Sequence, residues 1–132
     1  MSLEPGLKGS AEVVVVPENT AAAVGSGALE VFATPAMIAL MEKAALETVA
    51  PFLGEGESTV GTEIHVTHDV AIPLGFTVTA DAELVEVDRR KLSFRVSARC
   101  GEEIIGKGTH TRFIVSVDRF MQKVEARKQE LK

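Results

Sequence analysis

"TPAMIALMEKAALETVA", residues 34–50, decides how this chain folds. The spacing predicts one helix, with Thr34 as its cap and Pro35 at the first helical position. At 100° per residue its polar stripe is only Lys43 and Glu47, an i,i+4 pair that solvent explains. Apolar or small residues fill the rest of the surface, which marks a buried helix. Glu42 does not fit that setting. It shares a face with Ile38, Ala39, Ala45, Leu46 and Val49, none of which can pair with a carboxylate. A buried charge left without its partner costs on the order of 3–5 kcal/mol. Glu42 must therefore reach a backbone amide or water, or serve as a general base. On this reading Glu42→Gln should raise thermal stability by removing a desolvated charge.

Outward from the helix, "AEVVVV" (11–16) reads as a strand rich in β-branched side chains. Residues 17–33 are small and Gly-bearing, a mobile loop or short helical turn. Extended stretches follow at 58–68, 76–87, 91–100 and 103–117. "IPLG" (72–75), "DRRK" (88–91) and "CGEE" (100–103) supply turn chemistry between them. Residues 118–132 read as a C-terminal helix capped by Asp118, and 1–9 as a loose tail. Strand, buried helix and four closely connected strands predict an α+β domain spanning 1–132, an antiparallel meander wrapped around the helix. One helix cannot cover so large a sheet, which predicts association with a second copy.

The 132 residues are 45% hydrophobic and 25% charged, enough for one domain with a real core. The longest apolar runs, such as "VVVV" at 13–16, are far too short to span a bilayer. The start lacks the apolar region of a secretory signal, and the single Cys100 forbids an intrachain disulfide. A reducing, cytoplasmic location is the expectation. Net charge of −5 argues against a nucleic-acid surface, and six Phe without Trp or Tyr offer few stacking platforms. Arg89, Arg90, Lys91, Lys107 and Arg112 still leave room for a small anionic ligand. No GxGxxG, P-loop, HExxH or GxSxG is present.

Alternation along 58–68 places Val60, Thr62, Ile64, Val66 and His68 on the inward face, with His65 outward. The two histidines thus make a poor metal pair, and no metal is expected. His68 is the natural partner for Glu42, or else a rim histidine bonded to a carbonyl. The Thr34 hydroxyl lies two turns before Glu42. It caps the helix, and the same helix start offers amides to an anion. Gly61 either lets a ligand approach the backbone or marks a β-bulge.

Three segments then carry a resemblance: "FATPAMIALMEKAA" (32–45), "VGTEIHVTHDVAIPLGFTVT" (60–79) and "GKGTHTRFIV" (106–115). Over roughly residues 10 to 125 the chain resembles the fluoroacetyl-CoA thioesterase-like family of hotdog-fold proteins. The resemblance implies acyl-CoA thioester hydrolysis without a metal or redox cofactor. It implies a homodimer, or a tetramer built from it, with the pocket at the helix–sheet and dimer interface. The family's catalytic positions fall on Thr34, Glu42 and His68. Its glycine near the thioester carbonyl falls on Gly61, and its arginine falls on Arg112, where it would contact the anionic ligand. Phe32 would line the substrate site. The loop "TAAAVGSGAL" (20–29) has no aromatic residue, so a tight aromatic lid selective for fluoroacetyl is not expected, and the acyl group should differ. A non-catalytic acyl-CoA binding or sensing dimer and a hotdog enoyl-CoA hydratase are the alternatives.

Overall fold

Five antiparallel strands form one curled sheet in a computed structural model that describes residues 2–131. They are β1 (Lys8–Val14), β2 (Glu57–Val66), β3 (Thr77–Asp88), β4 (Lys91–Cys100) and β5 (Glu103–Ser116). A short turn, α1 (Ala21–Val24), precedes the long helix α2 (Thr34–Val49), and α3 (Val117–Glu130) closes the chain. Period-two alternation decides which side chains face inward. Val78, Ala80, Ala82 and Leu84 of β3 are buried, as are Leu92, Phe94, Val96 and Ala98 of β4. Met37, Leu40, Met41, Ala44, Ala45 and Val49 of α2 pack onto them. The alanines at 80, 82 and 98 put little bulk between helix and sheet. At Gly9, where β1 passes α2, any Cβ would collide with Thr48 Oγ1.

The strand order, β1-β3-β4-β5-β2, is not the expected meander. Only β3, β4 and β5 follow one another through hairpins. β2 lies at the far edge beside β5, and β1 takes the place next to β3. The reason is the link at 67–76, which contains Pro73 and is too long for a tight hairpin. It is strapped to other elements by Asp69 N–H to Ile105 O (2.6 Å) and Phe32 N–H to Ile72 O (2.9 Å). β2 is therefore an open edge strand. α2 lies mainly over β1 and β3 and touches β2 little, so the concave face near β2 is thinly covered.

Both chain ends depart from expectation. Residues 1–9 are not loose throughout: Leu3 and Leu7 pack against the core, and Gly6 N–H donates to Leu84 O at 2.8 Å. β1 accordingly starts at Lys8 and pairs with β3 from there. Asp118 sits in the first turn of α3, whose cap position is Ser116. Met1 and Lys132, the outer ends of the expected tail and final helix, lie outside the described residues. Among those described, no helix is long and apolar enough to cross a membrane.

Candidate active site

Thr34 and His68 meet. Ala33, in extended conformation, occupies the cap position of α2, and Thr34 is the first helical residue, so the expected capping role is corrected. Its hydroxyl bonds instead to His68, with Oγ1 and Nδ1 2.7 Å apart. His68 stands two residues beyond the end of β2, in the strapped link, and is half-buried. The buried Phe32 ring meets it edge-on, with centroids 6.5 Å apart. Nε2 of His68 is buried and has no hydrogen-bond partner among the described residues. Leaving such an atom unpaired costs about 1–3 kcal/mol. A cleft of about 250 Å³ opens here, lined by Ala21, Ser26, Phe32, Thr34, His68 and their neighbours.

Glu42 is elsewhere, and it is neither fully buried nor unpaired. Its side chain is 41% exposed in the single protomer, with Oε2 3.8 Å from Arg112 Nη1. The expected partner, His68, is replaced by Arg112. That arginine is only 6% exposed. Its Nε donates to Thr59 Oγ1 at 2.8 Å, its Nη2 to Thr59 O at 3.0 Å and its Nη1 to His110 Nε2 at 3.2 Å. Burial lowers the Arg112 pKa from its ordinary value, and Glu42 pulls it back up. Three of its five N–H donors are thus engaged by Thr59 and His110.

Register explains these corrections. Gly61 pairs with Arg112 but Glu63 pairs with Thr111, so Thr62 is an extra residue in a β-bulge. The bulge breaks the alternation. Thr59 is buried and Gly61 faces the Glu42 group before it, whereas Ile64 and Val66 meet the core after it. Val60 and Thr62 therefore leave the inward face on which simple alternation placed them. A Cβ at position 61 would lie 2.7 Å from Glu42 Oε2, 3.1 Å from His110 Cε1 and 3.2 Å from Arg112 Nη1. The bulge and the close approach both apply to this glycine. Gly61→Ala is expected to displace the carboxylate and reduce turnover at least tenfold in steady-state assays; unchanged kinetics would contradict this placement.

No hydrogen bond or ion pair among the described residues joins Glu42 to Thr34 or His68. Eight helical steps separate positions 34 and 42, about 12 Å along the axis. The chain thus holds two separate groups of these residues: Thr34, His68 and Phe32 in one, and Glu42, Gly61 and Arg112 in the other. His110 is a member of the second group that sequence reading passed over. A usable signal existed, because His110 and Arg112 sit two apart and share one face of a strand. His65 is exposed, and no cluster of three metal-ligating side chains occurs among the described residues.

Residues 15–118 match the family model described as fluoroacetyl-CoA-specific thioesterase. Over 95 residues, 72% of this chain and 68% of the other, the sequence is 50% identical to a fluoroacetyl-CoA thioesterase of Streptantibioticus cattleyicolor. A variant of the fluoroacetyl-CoA-specific thioesterase, solved in complex with fluoroacetate and CoA, superposes with a TM-score of 0.84 at 42% identity, covering 89% of this chain and 99% of that one. A Thermus thermophilus hypothetical protein, described as a thioesterase superfamily member, gives 0.89 at 26% identity, covering 97% and 95%. The curled five-stranded sheet around one long helix is the α+β hotdog architecture of these thioesterases. On sequence and fold together, this chain belongs to the fluoroacetyl-CoA-specific thioesterase family.

Proposed function

We propose that this chain hydrolyses an acyl-CoA thioester to free acid and CoA, as a cytoplasmic homodimer whose reaction site is shared between protomers. Thr34 and His68 of one protomer would face Glu42 of the partner subunit. The observation that carries this reading is the Thr34 Oγ1–His68 Nδ1 bond of 2.7 Å at the edge of an open cleft. An accessible carboxylate on the thinly covered side of the sheet supplies the complement.

The chemistry follows from the groups. His68 Nδ1 accepts the proton of Thr34, or of a water that Thr34 positions, while Nε2–H is held by the partner's Glu42. This is the hydroxyl–imidazole–carboxylate arrangement in which the acid fixes the tautomer and stabilises the imidazolium. Attack forms a C–O bond at the thioester carbonyl. Collapse of the tetrahedral intermediate breaks the C–S bond, and the departing thiolate takes the proton from His68. If Thr34 is the nucleophile, water repeats the sequence on its ester. Positioned proton transfer is worth about 10²–10⁴ in rate. The Gly61 amide or the amides at the start of α2 would hold the oxyanion, where one donor is worth about 3–4 kcal/mol. Arg112 serves by holding Glu42. A thiolate leaves readily, so the scheme calls on no metal or redox cofactor.

The cleft at His68 favours an acyl group larger than fluoroacetyl. Ala21, Ser26, Val31, Asp69, Val70 and Ala71 line it together with buried Phe32 and leave about 250 Å³ open. A panel of acyl-CoAs with free thiol release monitored tests both points. The expected result is turnover, with acyl chains beyond two carbons outperforming fluoroacetyl. Tight binding without thiol release would point to a sensor, and water addition to crotonyl-CoA to a hydratase; either would overturn the reading.

A further inference from the structure

His110 is 2% exposed and lies behind the Glu42 half-site, its ring 6.1 Å from that of Phe94. Both ring nitrogens are engaged, and only one proton placement satisfies both partners. A guanidinium has no acceptor, so Nε2, 3.2 Å from Arg112 Nη1, must be the bare nitrogen. A carbonyl has no donor, so Nδ1, 2.7 Å from Glu63 O, must carry the hydrogen. Glu63 directly follows the extra residue of the bulge, so the imidazole also braces the distorted backbone beside Gly61. Thr59 fixes one edge of Arg112 through Nε and Nη2. The remaining corner, Nη1, faces both His110 and Glu42.

We propose that His110 is a positioning residue of the hydrolytic site: by accepting the Arg112 Nη1–H it fixes the guanidinium corner that orients Glu42 beside Gly61. This rests on the reading that Glu42 takes part in hydrolysis. The groups facing the ring are Arg112 on its own strand, Glu42 on α2, the Glu63 carbonyl on β2 and Phe94 on β4. Burial pushes the His110 pKa below its ordinary value; Arg112 adds to this, while the Glu63 carbonyl and Glu42 oppose it. The ring therefore stays neutral at pH 7, as the bond to Arg112 demands.

Two substitutions separate positioning from packing. His110→Asn keeps a donor for the Glu63 carbonyl but withdraws the acceptor from Arg112. His110→Gln reaches the place of Nε2 and retains an acceptor there. The expected result is a kcat reduced at least tenfold in His110→Asn, with KM changed less than threefold, and most of that loss recovered in His110→Gln. Wild-type turnover in His110→Asn, or equal losses in both variants, would overturn the role. Nitrogen-15 spectra test the same geometry without turnover. Wild type should show an Nδ1–H tautomer, and the Arg112 Nη1 signal should shift in His110→Asn and stay near its wild-type position in His110→Gln. A cationic ring or an Nε2–H tautomer in wild type at pH 7.5 would overturn the proposal even if His110→Asn failed to fold. Should wild type hydrolyse no thioester, the reading of function falls, and the spectra alone decide the placement of His110.

Discussion

His68→Ala is expected to lower kcat by about 10²–10⁴, the range for removing a positioned proton-transfer group. Some stability should go with it, because the substitution loses the bond to Thr34 and the edge contact with Phe32, together worth about 1–2 kcal/mol. Thermal melts should still show a folded protein next to the collapse in turnover. A variant with wild-type kcat would exclude His68 from the chemistry.

Glu42→Gln is expected to cost at least tenfold in turnover and also some stability. The amide keeps the shape but cannot hold an imidazolium or balance a guanidinium. Arg112, buried and bonded to Thr59 and His110, would be left without its anion. At 3.8 Å, with the carboxylate 41% exposed, solvent screens the pair. The expected loss is about 1 kcal/mol, or about 4 °C in Tm for a domain of this size. This reverses the sign expected from sequence, where Glu42 was taken as an unpaired buried charge. A rise in Tm would mean that the pair with Arg112 contributes nothing.

Helix and strands were legible because their signals are local. The 100° period of 34–50 and the alternation in 76–87 and 91–100 depend only on neighbouring residues, and the elements formed with bounds within a few positions. Strand order was not legible, because pairing of β2 with β5 is decided by contacts distant in the chain. Only the length of the link at 67–76 hinted at a crossover. Glu42 was legible as an anomaly, yet its partner was hidden by one inserted residue. Thr62 shifts the phase of β2, and with it turns Gly61 toward Glu42 and Arg112. For Thr34 the error was one position: with Ala33 as the cap, the hydroxyl is released to His68.

The proposal of a site shared between two chains is tested most directly by co-expressing differently tagged His68→Ala and Glu42→Gln chains, purifying the mixed dimer and measuring acyl-CoA hydrolysis. Each parent dimer carries a lesion in both of its sites, whereas the mixed dimer gathers both lesions into one and leaves the other intact. The account predicts recovery to about half the wild-type rate per dimer. A mixed dimer as inactive as its parents would contradict it.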